Sequence, residues 1–323
     1  MPEVNDIKRI GILRGGAGDH YENSLTKGGE VISFVFENLS DKYKVVDIFV
    51  DKDGAWHTGG LLMNPPDIVN KVDVVWNVSH PNFCNVLKNL SIPNIRIDSS
   101  SILENSRIML REHIKNTGIN MPGHIILPVY QKDFDGPREK YAYKKAKEVL
   151  EKFGAPWIVK SFNSDSSMGV HVAKTFPELV DAIQDGVSHE ESILVEELIA
   201  GKNASVHSVN NFRGEDVYVL PPTENRNDIV ISPGNFSSDE KSELINLSKK
   251  IHQYLNVSYY TKFDFILNPT RGIYLMNMEF LPNLKKDSNF IQSCESVGTK
   301  AHNVLGHILD LTLNKKVKKR GIV

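Results

Sequence analysis

Apolar positions along this chain come in short runs broken by polar, glycine-bearing stretches, and their period switches between that of a strand and that of a helix. Arg9 to Leu13 reads as a short apolar strand running into Arg14-Gly15-Gly16-Ala17-Gly18-Asp19-His20. From about Ser24 to Asn38 the apolar residues Val31, Ile32, Phe34, Val35 and Phe36 form one broad face, which predicts a helix. Lys44 to Val50 reads as a second strand. Val72 to Trp76 reads as a third, continuous enough to be buried on both faces of a parallel sheet. A short helix near Phe83 to Leu90 leads to a strand at Asn94 to Ile97. Strands alternating with helices predict an α/β unit of about a hundred residues.

The pattern then changes. Ser101-Ile-Leu-Glu104 is a capping box opening a helix that stops at Gly118 and carries Arg107 and Arg111 one turn apart. A strand at His124 to Leu127 and a helix ending near Phe153 precede an apolar strand at Trp157 to Val159. Thr175-Phe-Pro177-Glu178 is a second capping box, and Ile193 to Glu197 a strand ending on paired acids. Ser205 to Val209 and Val217 to Leu220 are strands, and Ser237-Ser-Asp-Glu240 caps a helix to about Leu255. Tyr260 to Leu267 and Ile273 to Phe280 are strands joined by a turn at Asn268 to Gly272, and a helix from about Glu295 to Leu313 closes the chain.

Composition narrows the class. The 323 residues suffice for two or three domains, and 40% hydrophobic with 24% charged residues is ordinary for a globular protein. A net charge of −2 gives no reason to expect nucleic acid or an anionic membrane as partner. The basic tail from Lys315 to Arg320 reads as a solvated end. Cys84 and Cys294 have no metal spacing, no apolar run is long enough to span a membrane, and the start is no signal peptide. The expected location is the cytoplasm.

Two stretches carry chemistry. Lys160 ends a strand, and Ser164, Asp165, Ser166, Ser167 and Gly169 follow in a loop that resumes as a strand at Val170. Such a loop can wrap phosphate oxygens with backbone N–H groups while the lysine supplies a point charge. In the last hairpin, residues two apart share a face, so Lys262, Asp264, Asn277 and Glu279 point the same way. Two carboxylates and an amide oxygen are hard ligands of the kind Mg²⁺ takes. The glycine loop after the first strand lacks the third glycine of a dinucleotide fingerprint, because Tyr21 stands there.

The order of these features resembles the ATP-grasp ligases, and within them the D-alanine–D-alanine ligases, over about Arg9 to Leu311. The resemblance implies a three-part α/β ATP-grasp architecture with an N-terminal parallel-sheet domain (1–100), a central lobe (101–192) and a C-terminal lobe with the metal hairpin (193–323), the two lobes clasping ATP. It implies a carboxylate–amine ligase acting through an acyl phosphate, with ATP and Mg²⁺ as cofactors and small amino-acid-like molecules as substrates. Any assembly expected is a homodimer. Carried over by position, Lys160 and Arg107 contact phosphate, Ser166, Ser167 and Gly169 form the loop near the substrate, and Glu196, Glu197 and Leu198 hold adenine. Asn203 falls at the ribose position, Lys262 near the transferring phosphate, Ser288 at the acceptor carboxylate, and Asp264, Asn277 and Glu279 at the metal.

The departures lie mostly on the amino-acid side. Asn277-Met-Glu279 reverses the family's order of carboxylate and amide, and His20 stands where the family has the carboxylate that pairs with the donor ammonium. Asp19 and Glu22 flank it as replacements. The run after His80 lacks the family's glycines, and the lid's Lys-Tyr pair is not evident between Pro222 and Ser237. A nucleotide-binding relative that is inactive or differently specific is the alternative reading, and a sugar- or dinucleotide-binding oxidoreductase a more distant one.

Overall fold

The computed structural model describes residues 7–17, 21–80, 82–95, 107–162, 168–227 and 229–320. In chain order the first elements are β1 (Lys8–Gly15), α1 (Tyr21–Asn38), β2 (Tyr43–Val50), β3 (Trp56–Thr58), β4 (Leu61–Met63), β5 (Val74–Asn77), α2 (Phe83–Asn89) and α3 (Arg107–Ile114). The middle holds β6 (His124–Leu127), α4 (Lys132–Asp135), α5 (Arg138–Lys152), β7 (Trp157–Ser161), β8 (His171–Ala173), α6 (Phe176–Ser188) and β9 (Ile193–Glu197). Then come β10 (Lys202–Phe212), β11 (Glu215–Val219), β12 (Thr223–Arg226), β13 (Ile229–Ile231), α7 (Ser238–Tyr254), β14 (Tyr260–Asn268), β15 (Gly272–Glu279), α8 (Asn289–Ser296) and α9 (Ala301–Arg320). The chain forms two compact units. Unit 1 holds 1–119, 202–265 and 277–323, and unit 2 holds 120–201 with the hairpin tip 266–276.

In unit 1 the first sheet runs β4-β3-β2-β1-β5, with β1 parallel to both β2 and β5. Ile10, Ile12 and Leu13 on β1 are fully buried, as a strand covered on both faces requires. β2 lies on one side of β1 and β5 on the other, so the strand order switches at β1, where an open α/β sheet leaves a crevice outside its strand ends. One core joins this sheet to the end of the chain: Ile10, Val31, Val35 and Trp76 pack with Tyr260, Leu284, Phe290, Val304 and Leu305. In unit 2 the sheet β6-β9-β7-β8 is antiparallel, and Trp157, Val159 and Val195 pack with Leu179 and Ile183 of α6.

Several details differ from the pattern read in the sequence. β5 starts at Val74, two residues late, and Asn94 makes a single parallel bridge to Val75, residues 96 and 97 lying outside the described ones. The short hairpin β3–β4 and the pair β12–β13 were not anticipated. The closing helix is two helices, because the N–H groups of Val297, Gly298 and Thr299 turn back onto Cys294 and Glu295 and Gly298 adopts φ +66°. Only half of the box at Thr175 forms: Glu178 N–H donates to Thr175 Oγ1, while the Glu178 carboxylate accepts from Lys174 N–H. The box at Ser237 is complete, and the one at Ser101 lies outside the described residues.

Gly15 explains the glycine loop by packing. With φ +85°, a Cβ there would sit 2.1 Å from the Val50 carbonyl oxygen. Its N–H donates to Ser24 Oγ and its carbonyl accepts from Ser79 Oγ, so this backbone is consumed inside the fold.

Two histidines are buried in unit 1. His207 Nδ1 meets the Tyr260 hydroxyl and His252 Nδ1 meets Ser208 Oγ, both at 2.7 Å. Burial, with the Lys262 charge adding to it, pushes His207 down to about 3, and burial pushes His252 down to about 4. Both are neutral in the fold and take up protons on unfolding below pH 6.5, so stability falls as pH falls through that range. From pH 6.5 to 5 the two together should remove about 3 kcal/mol. Urea melts at pH 7 and pH 5 should show the drop, and His207→Gln with His252→Gln should flatten it; an unaltered slope in the double variant counts against this origin.

Candidate active site

In unit 2, Lys160 at the end of β7 and Glu196 on β9 meet in an ion pair of 2.7 Å. The antiparallel register aligns Ile158 with Glu196, which brings Lys160 and Glu196 onto neighbouring positions of one sheet. Glu196 is 4% exposed, so its charge needs this partner. Glu197 accepts from Gly123 N–H and from Arg271 Nη1, and the Leu198 N–H donates to the Pro156 carbonyl. The Glu197 carboxylate holds the Arg271 guanidinium above its ordinary value. Of the loop between β7 and β8, Ser166 and Ser167 lie outside the described residues; Gly169 is described, and a Cβ there would meet nothing. Arg107 opens α3, and Asn203 lies exposed on β10 opposite Asn225.

Unit 1 holds the polar end of the last hairpin. Lys262 Nζ lies 3.0 Å from both Asp264 Oδ2 and Glu279 Oε1, which places the three side chains on one face. Ser205 Oγ donates to Asp264 Oδ1 at 2.6 Å and itself accepts from Asn225 and Asn289. Burial alone would lower the Lys262 ammonium, but the charges and hydrogen bonds of Asp264 and Glu279 outweigh it and hold its pKa above the usual lysine value. Among the described residues no group of three or more His, Cys, Asp or Glu side chains could hold a metal, so a site on Asp264 and Glu279 would need the Asn277 amide as its third protein donor. These are still hard oxygen donors, and they fit Mg²⁺ in kind.

A cavity of about 410 Å³ opens in the same unit, around the end of β5. Asn23, Lys27 and Glu30 line it from one face of α1, Trp76 and His80 from β5 and beyond, and Asn277, Glu279 and Lys285 from the end of β15 and the turn after it. Glu22 is 81% exposed and lies outside the described wall, and His20 lies outside the described residues. Ser288 caps α8, accepting from Ile291 N–H and donating to the Asn283 carbonyl.

The family described as D-ala D-ala ligase C-terminus matches residues 114–310. The chain belongs to this family. D-alanine–D-alanine ligase B of Clostridium tetani is 22% identical, over 95% of this chain and 94% of the relative. The D-alanine–D-alanine ligase of Prochlorococcus marinus is 20% identical, over 96% and 99%. Among solved structures, the D-alanine-D-alanine ligase from Coxiella burnetii superposes with a TM-score of 0.74 at 16% identity, over 98% of this chain and 97% of that one. The VanG D-Ala:D-Ser ligase from Enterococcus faecalis gives 0.73 at 17%, over 95% and 100%. These matches establish the ATP-grasp fold of the D-alanine–D-alanine ligase family.

Within that family frame, the pocket face of α1 is what sequence reading missed. Asn23, Lys27 and Glu30 fall at i, i+4 and i+7, a spacing identical to that of an ordinary solvated stripe. Ser205 was likewise placed on a strand without its partner, since hydroxyl-to-carboxylate pairing across strands leaves no local mark. Lys262 gives a direct test of the polar cluster. With 16% of its side chain exposed, Lys262→Met should strand two carboxylates and cost about 2–4 kcal/mol. Adding Glu279→Gln should recover part of the loss; denaturant melts that show no loss, or no recovery, count against a coupled cluster.

Proposed function

We propose that this chain is an ATP-dependent ligase that joins the carboxylate of one amino-acid-like molecule to the amine of another through an acyl phosphate. The observation that carries this reading is that one cavity reaches from the charged face of α1 to Asn277 and Glu279, beside Lys262 and Asp264. Substrate-sized space and groups suited to phosphate chemistry share a wall. Relatives named as ligases align over more than nine-tenths of the chain, which supports the same reading.

A donor carboxylate oxygen attacks the terminal phosphorus of ATP and ADP departs; the acceptor amine then displaces phosphate from the acyl carbon. The protein contributes position and charge. Lys262 faces the transferring phosphate, and Asp264, Asn277 and Glu279 hold Mg²⁺, which when bound neutralises phosphate charge. Lys160, ion-paired with Glu196, offers its ammonium to phosphate oxygens, and Arg107 is assigned to phosphate as well. Glu196 to Leu198 receive adenine, Asn203 the ribose, and the loop with Ser166, Ser167 and Gly169 covers the reacting groups. Ser288 meets the acceptor carboxylate, and His20 falls on the donor side.

We place the protein in the cytoplasm as a three-part ligase, dimeric if it assembles. Cys84 and Cys294 are both buried and neither is in a disulfide, as a reducing compartment allows, and no helix among the described residues is long and apolar enough to cross a membrane. Phosphate release on incubation with Mg-ATP and a panel of D- and L-amino acids tests the activity; no release with any of them defeats it. Lys160→Ala should weaken ATP binding by about 1.5–3 kcal/mol by calorimetry, the scale of a charge-assisted contact. Asp264→Asn with Glu279→Gln should remove the Mg²⁺ dependence of nucleotide binding, and its survival would withdraw the metal assignment.

A further inference from the structure

Among the described residues the cavity wall carries two carboxylates, Glu30 and Glu279. They differ in how far their charge is already answered. Glu279 is held by Lys262 at 3.0 Å. Glu30, a quarter exposed, has only Lys285 at 3.6 Å, beyond hydrogen-bond distance, and Lys285 is 64% exposed. An ion pair of that length and exposure is weak. Lys27 lies three residues earlier on the same face with no ion-pair partner among the described residues, and it repels any other cation. The favourable position for a cation on this face narrows to Glu30.

A 2-amino acid entering a partly dry cavity brings an ammonium, and an ammonium out of water needs a carboxylate. We propose that Glu30 is the group that recognises the donor's α-ammonium, so that this pocket selects 2-amino acids over the matching 2-hydroxy acids. This rests on the ligase reading above. The exchange is cheap: when the ammonium arrives, Lys285 leaves Glu30 for solvent, where most of its side chain already is. Glu22, by contrast, faces outward and is in no position to serve.

The donor step can be read alone by trapping the acyl phosphate with hydroxylamine. The hydroxylamine nitrogen attacks the acyl carbon, phosphate leaves, and a hydroxamate forms. With D-alanine as probe donor, Glu30→Gln should lower kcat/KM by about 10- to 100-fold, the loss of one charge-assisted contact. With D-lactate, which has no ammonium, the same variant should change nothing. Glu30→Asp should restore part of the preference. Equal losses for the two donors in Glu30→Gln, or no recovery in Glu30→Asp, overturn the assignment. If the unmodified protein forms no hydroxamate with any amino acid, the ligase reading fails. Glu30 is then still tested by calorimetric titration of D-alanine against D-lactate in the presence of ATP: tighter D-alanine binding lost in Glu30→Gln supports it, and equal affinities in the unmodified protein refute it.

Discussion

The constraint on which unit 1 depends is a single core that takes residues from both ends of the chain. Ile10 and Trp76 of the first sheet, Val31 and Val35 of α1, and Leu284, Phe290, Val304 and Leu305 near the C-terminus share one buried volume. Burying an aliphatic or aromatic side chain of this size is worth about 1.5–3 kcal/mol each, so the two ends are held firmly. The consequence is geometric. Because Val31 and Leu284 lie in the same core, Glu30 and Lys285, each one residue away, are brought to the same cavity. Two segments some 250 residues apart in sequence thus build one wall.

The polar cluster on the last hairpin is organised on the opposite principle. Lys262, Asp264 and Glu279 are too buried for any of their charges to stand alone, and each answers another. Ser205 secures the remaining Asp264 oxygen, and Asn225 and Asn289 secure Ser205 in turn. The same Lys262 charge adds to burial in keeping His207 neutral, so the layer behind the cluster stays uncharged. A hydrophobic core fixes where this hairpin lies; a hydrogen-bonded network fixes which way its side chains face.

What the sequence disclosed follows the range of the interaction. The face shared by Lys262, Asp264 and Glu279 was legible because strand period is local and the turn is marked: Asn268 Oδ1 accepts from the N–H groups of Thr270 and Arg271, and Gly272 takes φ +83°. The N-cap at Ser237 was legible for the same reason. The break between α8 and α9 was not, since Val297, Ala301, Val304, Leu305 and Ile308 keep a helical period straight across it. Nor was the reason for Gly15, whose tight neighbour is Val50 on an adjacent strand. The cavity itself was invisible, because its polar side chains look like any solvated helix face until the C-terminal segment is packed against them.

The charges also bear on the proposal that nucleotide and metal would bind together at this hairpin. Lys262, Asp264 and Glu279 carry one negative charge in excess, and Asn277 adds none. A bare triphosphate is therefore repelled by the carboxylates that Lys262 does not fully answer. A lone divalent ion would meet an ammonium already seated between the two carboxylates. A triphosphate that arrives with its cation avoids both penalties, because phosphate oxygens can take the Lys262 ammonium while the carboxylates turn to the ion. Exchange of partners within one cluster, with no charge left stranded, is what makes a buried polar site able to open and close at modest cost.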